Sequence, residues 1–185
     1  MFSKRQIQDA VSFFKSIGFE KIVLVGARES HLVTDILVKH NIPVIAAHPH
    51  RLPSGEDADV KEAFNLAKKL DKAGVSFGID VRGQMERMNT RNLPFYAGSF
   101  VGHGLDYQSA LKSLTINAAK ILGIDKRYGS LEEGKSATFF VSEGDALDMR
   151  TNVVHSAYID GRELGLETHQ TRLRDKFTEK VERGN

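Results

Sequence analysis

The chain has 185 residues, 41% of them apolar, which is enough to bury a core in one domain with an appendage. Its 26 basic and 24 acidic residues are spread along the length and give a net charge of +2, so charge offers no argument for a nucleic-acid or membrane partner. The chain has no cysteine, which excludes disulfides, thiolate metal ligands and a cysteine nucleophile. The N-terminus has no long apolar run, so we expect neither a signal peptide nor a membrane span, and a cytoplasmic location by default.

The first 80 residues alternate between helical and strand patterns. Apolar residues at helical spacing follow Ser3, and Gly18 marks the end of that helix. Apolar runs at residues 21–25, 42–47 and 75–79 predict three strands, which as continuous runs are typical of parallel strands covered on both faces. Two helical patterns separate them, with apolar residues Leu32, Val33, Ile36 and Leu37 in the first and Val60, Ala63, Phe64, Ala67 and Leu70 in the second. Three β/α units therefore predict a parallel sheet.

The second half of the chain changes character. A polar loop with neither period follows Asp80, and one helix is predicted to begin near Asn92. Another helical pattern runs over residues 111–122 and stops at Gly123. Apolar runs at residues 137–141 and 153–159 predict strands, with an Asp-Gly hairpin turn after the second and a charged, solvated helix from residue 166 onward.

Two linked motifs lie between residues 110 and 137. Their members are Ala110, Leu111, Thr115, Asn117, Ala119, Leu122 and Gly123, and then Gly129, Leu131, Glu132, Gly134, Lys135 and Ala137. In order and spacing they resemble the C-terminal segment of the metal-dependent amidohydrolases, in particular the imidazolonepropionase-like group. The resemblance continues through residues 145–148 and 160–162 and, more loosely, back to Lys21.

The resemblance implies an α/β fold made of the last three or so parallel β/α units of a partial (β/α) barrel. These units would be followed by a small β-unit of the amidohydrolase composite β-sandwich domain and by a helical tail. We predict residues 1–123 for the barrel part, 124–165 for the small β-domain and 166–185 for the tail. A complete barrel takes eight strands and roughly 250 residues, so an N-terminal region would supply the rest. The sequence leaves open a gene fragment, a truncated form or one product of a split gene, and a complete parent protein that is exported.

The resemblance also implies zinc or another divalent metal in the complete enzyme, and a small-molecule amide as substrate. It places the first metal histidines on a strand that these residues do not contain, so this chain alone is expected to hold an incomplete metal site or none. An aspartate after the last barrel strand would accept a proton or bind the metal, and Asp80 stands near that place. The local Phe-Gly-Ile-Asp differs from the usual Gly-Thr/Ser-Asp, and a carboxylate that caps a turn is the alternative.

Two further stretches carry candidate site residues. His48-Pro-His50 follows the second predicted strand, where alternate residues of an extended segment share a side, so His48 is a candidate metal ligand. Related sequences share mainly the His-Arg-Leu-Pro part, which implies that His50 and Arg51 line the substrate mouth, and ordinary loop structure is the third alternative. The turn that begins at Gly26 leads into a helix and offers an anion site with Arg28.

The remaining candidates are weaker. His31 fits a surface position on the first turn of its helix better than it fits a metal ligand. Arg82, Arg87 and Arg91 are candidates to grip a carboxylate substrate, although a solvated basic loop is the commoner outcome.

Three functional hypotheses follow. The leading one is the C-terminal portion of an amidohydrolase that hydrolyses amide or cyclic amide C–N bonds when complete and is inactive alone. The second is a non-catalytic remnant that serves a structural or subunit-interaction role, and the third is a small anion-binding α/β domain. An incomplete barrel leaves strand edges open, so we predict a complex with the N-terminal half of the barrel or a homo-oligomer.

Overall fold

The computed structural model describes residues 3–53, 55–82 and 86–184. Within those ranges the chain forms two three-stranded sheets and eight α-helices. The helices are α1 (Lys4–Ser16), α2 (Thr34–Lys39), α3 (Glu62–Lys72), α4 (Glu86–Asn89), α5 (Leu93–Gly102), α6 (Tyr107–Leu114), α7 (Ile116–Leu122) and α8 (His169–Arg183). The strands are β1 (Leu24–Val25), β2 (Val44–Ala47), β3 (Phe77–Asp80), β4 (Phe139–Ser142), β5 (Val154–Ile159) and β6 (Arg162–Glu163). No helix within the described ranges combines the length and apolar character that crossing a membrane requires.

The first sheet is parallel, in the order β1-β2-β3, which confirms the predicted parallel arrangement. Val25 pairs with Ile45 and Ala47 pairs with Asp80, so the carboxyl ends of the three strands lie at the same edge. The strands are shorter than predicted, and β1 has only two residues in place of five. Within the described part of the chain β1 pairs with β2 alone. Only Leu24 and Val25, which pair with Val44 and Ile45, therefore form the strand.

The sheet is not buried on both faces, contrary to the sequence-based expectation. Val44 and Ala46 are fully buried on one face of β2, while Ile45 and Ala47 on the other face are only partly covered. Helices α3 and α5 both contact β3, and their buried side chains Leu66, Leu70 and Phe100 belong to the same core as Val44. Helices α6 and α7 cover part of this second face, since Leu114, Ala118 and Ile121 line a cavity together with Ile45.

Several predicted helix limits are wrong. Val60 is 79% exposed because α3 begins only at Glu62, and Leu32 is half exposed because it lies in a 3-10 turn (Ser30–Leu32) before α2. The polar loop after Asp80 contains the short helix α4 and a 3-10 turn (Thr90–Asn92), while residues 83–85 lie outside the described ranges.

The helix predicted over residues 111–122 is in fact two helices. The hydroxyl of Thr115 donates to the carbonyl of Leu111 at 2.8 Å, and the Thr115 N–H donates to Lys112 three residues back. The backbone at Thr115 leaves the helical region, with φ −118° and ψ −101°, because its side chain competes for the helical acceptor. Asn117 then donates to the carbonyl of Phe77 at 3.4 Å, which places motif residue Asn117 at the side of β3. Thr115 and Asn117, two members of the motif between residues 110 and 137, therefore shape and anchor these helices.

The second sheet is antiparallel, in the order β4-β5-β6. Asp160 and Gly161 both have positive φ at the turn between β5 and β6, which confirms the predicted hairpin. Phe140, Val141 and Ile159 are each at least 45% exposed, so this sheet exposes much of its apolar surface.

The segment that joins β4 to β5 contacts the first sheet's core through Leu147, which is 4% exposed. The tail is helical, as predicted, and α8 has no buried residue. The domain limits at residues 123 and 165 stay predictions.

Candidate functional site

A polar pocket of about 300 Å³ opens at the carboxyl ends of β1, β2 and β3. The parallel register explains its position, because Val25, Ala47 and Asp80 end neighbouring strands at one edge. Its walls are formed by Gly26, Arg28, Ala47, His48, Arg51, Asp80 and Arg82. Four of the predicted polar side chains besides Asp80 therefore meet here, which is the usual place for a binding site in a parallel β/α sheet.

Asp80 is buried at the end of β3, and Arg82 holds both of its oxygens. The Arg82 backbone N–H donates to Oδ1 at 2.9 Å, and the Arg82 Nε–H donates to Oδ2 at 2.6 Å. The Arg82 side chain itself is 63% exposed, whereas that of Asp80 is 11% exposed. The pair fixes the orientation of the carboxylate and neutralises one of the three arginines of the pocket.

Gly26 lies beside this ion pair, and its lack of a side chain leaves space for the Arg82 guanidinium. Its N–H donates to the carbonyl of Ile45 at 2.8 Å, which continues the sheet pairing beyond β1, and its φ is +67°. A Cβ at this position would overlap Nη2 of Arg82 and lie 3.6 Å from Oδ2 of Asp80. The left-handed conformation favours glycine here, and any side chain would also force the flexible guanidinium of Arg82 to move.

His48 presents a free ring nitrogen. Its Nδ1 is shielded from solvent and has no hydrogen-bond partner among the described residues, and its ring stacks on Tyr96 at a centroid distance of 5.2 Å. Burial, followed by the charges of His50 and Arg51, lowers the pKa of His48. These effects favour the neutral imidazole, which is the form that binds metals.

The donor set falls short of a complete metal site. His48 and Asp80 are the two metal-binding side chains in the pocket walls, and Arg82 already holds the carboxylate. In the described ranges, no group of three or more His, Cys, Asp or Glu side chains is arranged to hold a metal ion. A catalytic zinc site takes three protein ligands, so these residues do not form one by themselves.

Arg28 and Arg51 add positive charge without an acidic partner in the pocket walls other than Asp80. The three guanidinium nitrogens of Arg51 are shielded from solvent and make no hydrogen bond within the described part of the chain. Burial, followed by the charge of Arg28, lowers the pKa of Arg51, and Glu62 opposes this to a smaller extent. The burial of Arg51 is a feature that the sequence alone did not indicate.

The other predicted site residues lie elsewhere. His50 is exposed and shares a hydrogen bond with the Ser99 hydroxyl at 2.9 Å. Its ring also meets the ring of Tyr96 edge-on, at a centroid distance of 5.2 Å. Since β2 ends at Ala47, the segment that follows is not an extended strand, and His50 does not line the pocket with His48. His31 is half buried and its Nδ1 lies 3.2 Å from the carbonyl of Arg28.

Arg91 is exposed and also lies outside the pocket walls. The side chain of Arg87 lies outside the described residues. Tyr96, by contrast, was not a predicted site residue, although it contacts both His48 and His50 from α5. The sequence did not indicate these contacts, because an aromatic residue in an apolar helix is usually a core residue.

A parallel β/α sheet with a charged pocket at its carboxyl edge is the arrangement of β/α-barrel enzymes. The amidohydrolase family matches residues 6–164 of the chain. The chain therefore belongs to the amidohydrolase family.

Individual relatives agree with this assignment. The imidazolonepropionase of Syntrophobacter fumaroxidans (strain DSM 10017 / MPOB) is 45% identical over 86 residues, which are 46% of this chain and 20% of that protein. The crystal structure of an amidohydrolase from Thermotoga maritima MSB8 superimposes with a TM-score of 0.77 and 28% identity, over 89% of this chain and 42% of that one. The 5-methylcytosine deaminase from Klebsiella pneumoniae shares the fold at a TM-score of 0.66 and 15% identity, over 91% and 46%. The chain thus spans less than half the length of these relatives.

Proposed function

We propose that the chain forms the C-terminal part of an amidohydrolase that, when complete, hydrolyses an amide or cyclic amide C–N bond of a small molecule. Membership of the family over residues 6–164 is the observation that carries this proposal. The place of Asp80, at the end of β3 and in the wall of the polar pocket, supports it.

The complete enzyme is proposed to use zinc or a similar divalent metal. A solved relative, an adenosine deaminase from Xanthomonas campestris, holds bound zinc and shares the fold at a TM-score of 0.55 and 14% identity. Such a metal lowers the pKa of a bound water and polarises the scissile carbonyl. His48 and Asp80 are the candidate ligands from this chain, and residues from outside it would complete the set.

The residues of this chain have separate roles in the proposed reaction. Asp80 accepts a proton at Oδ2, the oxygen that the Arg82 guanidinium orients. Arg82 orients the carboxylate through hydrogen bonds to both of its oxygens, and Gly26 leaves the space that the guanidinium occupies. Arg28 and Arg51 bind the substrate, and Tyr96 holds the ring of His48 in place.

An assay of the purified chain, alone and complemented, tests the proposal. With zinc and a panel of cyclic amides, the chain alone is expected to show no turnover. Co-expression with the N-terminal part of the Thermotoga maritima MSB8 amidohydrolase, the part that this chain does not match, is expected to give zinc binding and turnover. Asp80→Asn should abolish that turnover and leave the assembly intact by sedimentation. Robust hydrolysis by the chain alone would show that the active centre is elsewhere.

A second candidate is a non-catalytic remnant with a structural or subunit-interaction role. The hold of Arg82 on both oxygens of Asp80 favours it, since a carboxylate so occupied is less available to a metal. A complemented assembly that is stable but binds no zinc and turns over no amide would support this candidate against the first.

A further inference from the structure

The guanidinium of Arg51 is a shielded charge that makes no hydrogen bond within the described part of the chain. All three of its nitrogens are shielded from solvent and have no hydrogen-bond partner in the described ranges. Guanidinium groups stay protonated in proteins and carry five N–H donors, so this group holds a full charge and unused donors. A buried charge in this state is unfavourable unless something pairs with it.

The surrounding charges do not balance Arg51. Arg28 shares the pocket wall, and its charge acts against Arg51 more strongly than Glu62 acts in favour. Asp80 is the acidic side chain in the pocket wall, and Arg82 already neutralises it through a 2.6 Å hydrogen bond. Two positive charges therefore remain around a pocket of about 300 Å³, a size at the lower end of small-molecule sites.

We propose that this pocket binds a small molecule through a carboxylate group, and that Arg51 and Arg28 determine this specificity. The planar guanidinium matches a carboxylate with two parallel hydrogen bonds, which favours this group over a spherical anion. The nitrogens of Arg51 are shielded without a ligand, so this binding mode requires the side chain to turn toward the pocket about its rotatable bonds. The inference rests on the proposed function only in naming this carboxylate as part of the substrate.

Binding is measured on the purified 185-residue chain without turnover. Glutarate is the probe, glutaramide is its neutral counterpart, and inorganic phosphate is the competing anion, all at constant ionic strength. We expect glutarate to raise the melting temperature of the wild type in a concentration-dependent way and glutaramide to have no effect. Phosphate that stabilises the chain as well as glutarate does would overturn the carboxylate assignment.

Variants test the role of Arg51 itself. Arg51→Met removes the unpaired charge and retains an apolar stem, so it should raise the melting temperature without ligand and weaken glutarate binding at least about tenfold. Arg28→Met should weaken glutarate binding as well, whereas Arg162→Met on exposed β6 should leave it unchanged. If Arg51→Met lowers the melting temperature or prevents folding, Arg51 has a structural role and the inference is wrong. It is equally wrong if Arg28→Met binds glutarate like the wild type.

The two proposals fail in different experiments. The chain could bind glutarate through Arg51 and still gain no hydrolase activity when complemented. That result would support the carboxylate site and contradict the proposed function. If the complemented enzyme hydrolyses only neutral amides and does not respond to glutarate, the proposed function is supported and the carboxylate site is contradicted.

Discussion

Arg82 and Asp80 form an ion pair across one turn of the chain, with Nε of Arg82 2.6 Å from Oδ2 of Asp80. The arginine lies two residues after the aspartate and returns to it because the backbone N–H of Arg82 also donates to Oδ1. The buried carboxylate at the end of β3 is thus oriented by its own sequence neighbour. Gly26 on the next-but-one strand end completes the arrangement, because it has no side chain that would occupy the space of the guanidinium.

A double-mutant cycle between Gly26 and Arg82 tests this arrangement. Gly26→Ala in the wild type should cost more than the roughly 1–2 kcal/mol of backbone strain at a positive φ, because the new Cβ also moves the Arg82 guanidinium away from Asp80. In an Arg82→Met background, where the displaced guanidinium is absent, the same change should cost the strain alone. Urea denaturation measures both values, and equal costs in the two backgrounds would contradict the contact.

The α/β alternation could be predicted from sequence because apolar runs and helical spacings are local signals. The extent of each strand could not, since β1 forms only where β2 lies beside it. The break at Thr115 also escaped prediction, because threonine is common within helices and only the hydrogen bond to Leu111 distinguishes this one. Strand ends indicated where Asp80 and His48 lie.

The details of the candidate site depended on tertiary contacts. His50 separated from His48 because β2 ends at Ala47 and the chain then turns. The stacking of Tyr96 on His48 depends on how α5 packs against the loop after β2. The burial of Arg51 also depends on residues distant in sequence, such as Arg28, and no local pattern indicates either contact.

Gly98 and Gly102 form a matched pair of helical glycines in α5. A Cβ at Gly98 would overlap the carbonyl oxygen of Leu147, whereas one at Gly102 would meet nothing within 4 Å. Gly102→Ala should therefore raise the free energy of unfolding by up to about 1 kcal/mol through helix propensity, and Gly98→Ala should lower it by about 2 kcal/mol through overpacking. Thermal or urea denaturation distinguishes the signs. If both variants are stabilised, the segment around Leu147 does not pack on α5.

His31 should make the stability depend on pH. Burial, followed by the charge of Lys69, lowers its pKa from the ordinary value of 6.5 in the folded state. The unfolded chain therefore takes up the proton first as the pH falls, so stability is present above pH 6.5 and is lost between 6.5 and the lower folded pKa.

His31→Gln should reduce the loss of stability between about pH 7.5 and about pH 5. His40→Gln is the control, since His40 follows α2 and is partly exposed. NMR titration of the His31 ring checks the direction, and a folded pKa at or above 6.5 would contradict it.

The open side of β1 should make the chain associate. β1 pairs with β2 on one side, and within the described ranges no strand pairs with its other side. Val23 precedes this edge and is 38% exposed, and it lines a cavity together with Phe14 of α1, which is 40% exposed. We expect sedimentation of the chain at micromolar concentration to show species larger than the 20.6 kDa monomer.

Val23→Lys should shift these species toward monomer, because a charged edge disfavours strand pairing. Val38→Lys, at a position on α2 that is 50% exposed, should leave the distribution unchanged. A wild type that sediments as a compact monomer would show that the edge is covered by other means.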